Sequence, residues 1–266
     1  MNREAKDFLH WLDVNKLTLN YKKTKFMLIT NKAYTERYKT KFRINMNKQN
    51  IERVNEFEYL GVLIDHKLRW NKHIDYLKTK VAQASGIIKK TRSILPISAS
   101  MKLYNSLVDS YLRYGIVSWG TCAHTLKLPL QRIQNRVIHT LNTSNANNQN
   151  PQGSKILNLS NLYLHETGKF MHSLAYRYSP PAFDGMFSVI SHDQNTRFRT
   201  NAQFKLINPR TNTGKKSLRY VGVKCWANIS PSLKLTEKLE SFSKLFKREL
   251  LSQQRQQSPA PSPVGR

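Results

Sequence analysis

Apolar residues recur along this chain first with a helical period, then with a strand period, then with a helical period again. Ala5, Phe8, Leu9 and Leu12 follow helical spacing and predict a helix ending near Asn15. Residues 25–29 read as a strand. Residues 41–46 alternate, turn at 47–50 and return through 51–64, the pattern of antiparallel β structure. Within that return, Phe57, Tyr59 and Leu63 alternate with Glu56, Glu58 and Val62, and Gly61 marks a sharp bend or a close backbone approach, hence a hairpin. From residue 71 to about 95, Ile74, Leu77, Val81, Ser85 and Ile88 predict a long helix closed by Pro96. Ser98 reads as the N-cap of a second helix reaching about Tyr111, which buries Met101, Leu103, Tyr104, Leu107 and Val108. A third helix, 128–141, has Pro129 in its first turn and carries Leu130, Ile133, Val137 and Ile138. Three helices in this order predict a small bundle.

Residues 142–158 are mostly polar and read as a linker. Beyond them, 159–178 is helical in pattern, Ser179-Pro180-Pro181 stops it, 196–226 mixes strand-like runs with Gly and Pro turns, and 240–253 predicts a last helix. Residues 254–266, rich in Pro and Ser, predict a disordered tail. The expected class is therefore α+β: a small antiparallel β portion (1–70), a helical bundle (71–141), a linker, and a mixed α/β basic region (159–253).

Charge changes the picture. The 266 residues carry a formal net charge of +28, spread as +16 over 1–150 and +12 over 151–266. A surplus along the whole length points to a polyanionic partner, because each cation near a phosphate releases condensed counterions. With 39% hydrophobic residues the chain can bury a core, and 12 Tyr with 4 Trp suit packed layers and stacking surfaces better than a basic thread through ribosomal RNA. A membrane partner is not expected, since there is no 18-residue apolar run. The N-terminal residues lack an apolar signal core, which predicts an intracellular protein, nuclear or cytoplasmic and not secreted. Cys122 and Cys225 alone support neither a disulfide framework nor a zinc site.

The order of motifs adds a resemblance. Trp11-Leu12-Asp13-Val14-Asn15-Lys16-Leu17-Thr18-Leu19-Asn20 runs into Tyr21-Lys22-Lys23-Thr24. Tyr59-Leu60-Gly61-Val62-Leu63-Ile64-Asp65 follows, then Leu103-Tyr104-Asn105-Ser106-Leu107 and Ser110-Tyr111-Leu112-Arg113-Tyr114-Gly115. Together these resemble the post-catalytic part of a jockey-like non-LTR retrotransposon reverse transcriptase: the palm's fourth motif, its fifth motif or primer grip, and the helical thumb. Asn195-Thr196-Arg197, Arg210-Thr211, Gly214 to Tyr220, Gly222 and Trp226 resemble the region after the thumb, so the likeness spans about residues 5–250 in family order. The usual W-N-x-L-P stands here as Trp226-Ala227-Asn228-Ile229-Ser230-Pro231, with the proline displaced by one.

Polymerases of this family hold two divalent ions on aspartates from earlier palm motifs, one of them an aromatic-x-Asp-Asp turn. This sequence has no Asp-Asp pair, and Glu4, Asp7 and Asp13 already fall on the fourth-motif helix. The resemblance implies a truncated reverse transcriptase fragment with no metal cofactor of its own, inactive in isolation, that keeps sequence-tolerant surfaces for RNA, DNA or an RNA–DNA hybrid. A non-enzymatic nucleic-acid-binding protein and an inert relic are the alternatives.

Candidate residues follow from both arguments. Lys22, Lys23 and Lys25 sit at a turn into a strand. Lys23 matches the family's motif lysine, which the resemblance puts near a triphosphate; a solvated basic strand edge gives the same pattern. Tyr59, Leu60 and Gly61 would press on a primer terminus by resemblance, or form an ordinary bulge with a core tyrosine. Lys72, Lys78, Lys80, Lys89, Lys90 and Arg92 lie off the apolar stripe of the first long helix, either to follow phosphates or as a solvated face. Arg197, Arg199, Arg210, Lys215, Lys216 and Arg219 fall in a stretch, 195–219, without any acid, and Thr211–Gly214 offers a turn whose N–H groups could meet phosphate. His66, His73 and Asp65 lack metal-ligand spacing and read as structural.

Overall fold

The computed structural model describes residues 2–30, 42–143, 155–183, 185–190 and 203–257. The chain separates into two units, residues 1–76 and 77–266.

In the first unit, helix α1 (Asn2–Val14) buries Ala5 and Leu12, seven residues and so two turns apart, and lies against strand β2 (Asn45–Met46). It ends in a Schellman closure: Leu17 N–H donates to Leu12 O (2.8 Å) and Lys16 N–H to Asp13 O (2.9 Å), with Lys16 at φ +56°. β2 pairs antiparallel with β3 (Gln49–Asn50) across Asn47-Lys48, both at positive φ. β5 (Glu56–Tyr59) pairs antiparallel with β6 (Val62–Asp65), Tyr59 opposite Val62. These two hairpins fall where alternation placed them. The third pairing differs from the antiparallel expectation: β1 (Lys25–Phe26) runs parallel to β4 (Glu52–Arg53). The long intervening segment makes a crossover possible, and nothing ties these two strands into a hairpin.

After β6, the Asp65 carboxylate accepts from the backbone N–H groups of Lys67 (3.0 Å), Arg69 (2.9 Å) and Trp70 (2.7 Å), winding the chain into the next helix. Burial raises the Asp65 pKa, but these three donors outweigh it and the net direction is down. Trp70 takes φ +69° and is buried. The buried His73 accepts through Nδ1 from Leu63 N–H (3.4 Å), and His66 Nδ1 lies 3.2 Å from Asn55 O.

Helix α2 (Asn71–Thr91) carries Ile74, Leu77, Val81, Ala84 and Ile88 as one buried stripe. It stops four residues before the expected 95, and the chain continues through turns at Ile94 and Leu95 that return to Thr91 O. α3 (Ile97–Tyr104) starts after Pro96, which takes the N-cap position expected for Ser98. Proline has no N–H to leave unsatisfied at that point and is already extended, φ −63° and ψ 155°. A π turn (Asn105–Asp109) leads directly into α4 (Ser110–Arg113); Gly115 at φ +62° turns the chain into α5 (Ile116–Trp119). α6 (His124–Thr143) begins four residues earlier than expected, so Pro129 is its sixth residue and not in the first turn.

The second half is more helical than its sequence suggested. α7 (Leu159–Ala175) is capped by the Asn158 side chain, which accepts from Asn161 N–H (2.8 Å). α8 (Asn212–Lys215), α9 (Leu218–Ala227), α10 (Pro231–Lys234) and α11 (Leu239–Gln257) follow; Val189–Ile190 pairs antiparallel with Gln203–Phe204. Residues 218–226, the end of the segment expected to mix strand-like runs with turns, belong to helix α9, and Gly222 lies under Met171 of α7, where an added Cβ would come within 2.8 Å of its Sδ. Three expectations at the ends of elements also change. Residues 142 and 143 close α6, Ile156 and Leu157 are buried, and residues 254–257 belong to α11. Gln254 fixes both neighbours, accepting from Asn158 N–H (2.9 Å) and donating to Ile156 O (3.2 Å). The central part of the expected linker, 144–154, and of the expected tail, 258–266, lies outside the described residues.

α7 is the hub of this unit. It packs against α4, α5, α9 and α11, and its buried residues, among them Leu162, His165, Gly168, Met171 and His172, look to more than one side. At Gly168 an added Cβ would stand 2.4 Å from Phe246 of α11, so only glycine lets the two helices approach this closely. Several polar groups inside are paired with one another. Gln134 of α6, fully buried, donates to the Tyr104 hydroxyl (3.0 Å) and to Leu157 O (3.0 Å) and accepts from Gln131 (2.9 Å). Arg113 of α4 donates to Asp109 through Nε and to Glu166 of α7 through Nη1; Lys169 adds a second donor to Glu166 (2.9 Å), and His165 joins Glu166 (3.2 Å) to the Ser243 carbonyl of α11 (3.0 Å).

Two predictions follow from this contrast. Among the described residues, the first unit buries only Ala5, Leu12, Ile51, Trp70 and Ile74 as apolar side chains, and its sheets are two-stranded, whereas the second has a continuous core around α7. Hydrogen exchange should therefore find the amides of α7 and α11 protected against all but global opening, and those of β1 to β6 exchanging through lower-energy local openings. Equal protection across both would refute the difference in stability.

The second prediction concerns acid. Burial acts to raise the Glu166 pKa, but His165, Lys169 and Arg113 overcome it and bring it down to about 2. A carboxylate depressed in the folded state contributes its stability fully above its unfolded pKa and loses it as pH falls through the folded value. Denaturant titrations should show a loss on the order of 3 kcal/mol between about pH 4.5 and 2. Glu166→Gln should flatten that limb and cost about 2–3 kcal/mol at neutral pH.

Candidate nucleic-acid interface

The exposed cations divide by element. In the first unit, Asn20 organises the turn before β1: its side chain accepts from Lys23 N–H (3.1 Å), and its carbonyl from Thr24 N–H (2.9 Å). Lys22 and Lys23 point to solvent from this turn, whereas Lys25 is half-buried and paired with Glu52 across β1 and β4. A shallow pocket of about 470 Å³ lies beside the turn, lined by Thr18, Leu19, Asn20, Tyr21, Lys22 and Gln49. Lys22, and not the motif-matching Lys23, lines it.

The β5–β6 hairpin closes through two residues, Leu60 at φ +48° and Gly61 at φ +76°, both left-handed as in a type I′ turn. Glycine is at home there. Leucine is not: its Cβ meets the backbone in this conformation, and its side chain is 71% exposed, so neither backbone preference nor burial explains it. Tyr59, 60% exposed, is not the core tyrosine that an ordinary bulge would have given. The tip thus presents a tyrosine and a strained leucine outward. Lys72 is paired with Glu56 of the same hairpin.

In the second unit, Lys78 and Lys80 are half-buried along α2, and Lys89, Lys90 and Arg92 are exposed at its end, where cations also offset the helix dipole. Arg210, Lys215, Lys216 and Arg219 are all exposed on and around α8. The turn itself offers less than expected: Thr211 Oγ1 accepts from Gly214 N–H (3.0 Å), and the N–H groups of Lys215, Lys216 and Ser217 donate to Thr211, Thr213 and Gly214 carbonyls. These N–H groups are consumed within the turn, which leaves side chains as the cationic groups. Arg197 and Arg199 lie outside the described residues.

One further lysine, Lys127, lies near Cys122 and was not singled out by the sequence. Burial raises the Cys122 thiol pKa, and Lys127 and Lys216 are both close enough to pull it partly back. Lys127 is held there by donating to Gly120 O (3.0 Å). The Asp109–Arg113 and Glu166–Lys169 spacings of four and three were a readable sign of helix ion pairs, though not of their joining. Among the described residues no three His, Cys, Asp or Glu side chains group so as to hold a metal ion, and no helix is long and apolar enough to cross a membrane.

Two known proteins are similar in sequence. One is a probable RNA-directed DNA polymerase from transposon X-element of Drosophila melanogaster, 31% identical over 91 residues, which is 33% of this chain and 10% of that protein. The other is the RNA-directed DNA polymerase from mobile element jockey of the same organism, 22% identical over 206 residues, 72% of this chain and 21% of that protein. The chain is thus related to jockey-like non-LTR reverse transcriptases and spans at most about a fifth of the length of these relatives. No protein-family model matches it, and no solved structure matches it.

Strain at Leu60 is directly measurable. Replacing it with Asn, which tolerates the left-handed region, should stabilise the hairpin by about 0.5–1 kcal/mol in thermal or urea unfolding. An unchanged or lowered stability would show that Leu60 is held there by packing and not at a cost.

Proposed function

We propose that this chain binds RNA, DNA or an RNA–DNA hybrid with little regard to sequence, as a relative of non-LTR reverse transcriptases that contributes template and primer contacts and not the polymerase metal site. The carrying observation is the exposed cluster Arg210, Lys215, Lys216 and Arg219, within a 25-residue stretch free of acid, in a chain of net charge +28. In this reading residues 1–70 correspond to palm strands beyond the catalytic turn and residues 71–141 to the thumb.

Three features support it. Cations without base-reading geometry attract phosphates whatever the sequence. The hairpin tip keeps an exposed Leu60 in a conformation that favours Asn or Gly, and such retained strain is found where contact with a ligand matters more than local stability. Three carboxylates are otherwise engaged: Asp65 by backbone N–H groups, Asp109 by Arg113, and Glu166 by Arg113 and Lys169.

Fluorescence anisotropy with RNA, DNA and hybrid oligonucleotides tests this. Affinity should fall at least about a hundredfold between 50 and 200 mM salt. Replacing Arg210, Lys215, Lys216 and Arg219 by Gln together should weaken binding to all three and reduce the slope of log K against log salt by about three. A flat salt dependence, or no binding at low salt, would overturn the proposal.

A further inference from the structure

A column of stacked rings runs from the interior of the second unit to its surface. His165 stacks on Phe246 (centroids 6.0 Å apart), Phe246 meets Phe242 at a tilt (5.5 Å), Phe242 stacks on His172 (4.4 Å), His172 on Tyr176 (4.5 Å) and Tyr176 on Tyr178 (6.2 Å). The planes of the last pair are only 15° apart. The first four rings are buried; Tyr178, the last, is 63% exposed.

The end of the column is held in place. His172 Nε2 donates to Thr236 O (2.7 Å), and the Tyr176 hydroxyl donates to Lys234 O (2.7 Å), so the two rings beneath Tyr178 cannot turn freely. The backbone of Tyr178 is fixed as well. Its N–H donates to Ser173 O (2.7 Å) and that of Arg177 to Leu174 O (3.2 Å), the Schellman closure of α7. That closure asks for a left-handed residue, and Arg177 supplies it at φ +55° although glycine would be the relaxed choice. Arg177 is exposed, so packing does not reward the strain. The conformation puts a cationic residue directly before a flat ring already backed by another ring.

We propose that Tyr178 is a stacking platform for an unpaired nucleobase of a single-stranded RNA or DNA, with Arg177 taking an adjacent phosphate. This rests on the nucleic-acid reading above and adds a preference within it for unpaired bases. Every base has a π face, so a pre-ordered ring takes any of them without selecting sequence. A base inside a duplex is already stacked on both sides and has no face to give. Burial raises the pKa of the Tyr176 hydroxyl, and the Glu237 carboxylate adds to that rise.

The test compares a single-stranded oligoribonucleotide of about twelve residues, carrying one 2-aminopurine, with a blunt duplex of equal length, using the full chain. Tyr178→Ala should weaken single-strand binding by about tenfold, abolish the quenching of 2-aminopurine, and leave duplex binding within about twofold. Tyr178→Trp should retain both affinity and quenching, and Tyr178→Leu should behave as the alanine variant. Arg177→Gly should raise the melting temperature while lowering single-strand affinity and its salt slope by about one. If Tyr178→Ala binds the single strand as the parent does, or if Leu substitutes for Tyr, the platform is refuted while salt-dependent binding of the parent still stands. If the parent binds neither oligonucleotide at low salt, the nucleic-acid reading and the platform fall together.

Discussion

The second unit depends on how closely α7 can approach its neighbours. Gly168 removes the side chain that would keep Phe246 away, and Gly222 does the same opposite Met171. Close approach then commits the polar groups that come along. Arg113, Glu166, Lys169 and His165 are brought to distances at which a carboxylate stays ionised in a largely buried place, and Gln134 spans three chain segments with one side chain. Taking one member out leaves the others unpaired away from water, so packing and electrostatics fail together.

Charge and ring stacking do different work on the surface. In the proposed binding, the cations around α8 would act at range and without direction, giving affinity that salt removes. The rings ending at Tyr178 act only at contact and with a defined plane. An interface of this composition would tolerate sequence, since neither component reads the edges of bases.

Much of the fold was legible where period and punctuation agree. The stripe from Ile74 to Ile88, the alternation through 56–65 and the stop at Ser179-Pro180-Pro181 each rest on a local rule and correspond to α2, the β5–β6 hairpin and the end of α7. Errors came where a distant contact decided. The end of the 196–226 segment, read as mixing strand-like runs with turns, forms a helix whose Gly222 faces Met171 of α7. Ser98 has the chemistry of a cap, yet Pro96 has the fixed backbone, and the fixed backbone prevailed. The basic segments were readable from composition, but the approach of Lys127 and Lys216 to Cys122 depends on the fold. The column of rings was not readable at all, since its members come from α7, its C-terminal closure and α11.

The π turn between α3 and α4 has a consequence for how the core tolerates a change of chain length. Tyr104, Val108 and Leu112 are all essentially buried, at intervals of four. In an α-helix of 3.6 residues per turn, each interval of four drifts about 40° around the axis, so three such residues fan out and the outer ones lose contact. The wide turn at Asn105–Asp109 rotates less per residue and takes up part of that drift, keeping the three on one line. The helix thus behaves as a splice with one residue of slack: an insertion that would have turned every later side chain away from its neighbours is absorbed locally, and Arg113 still arrives facing Glu166.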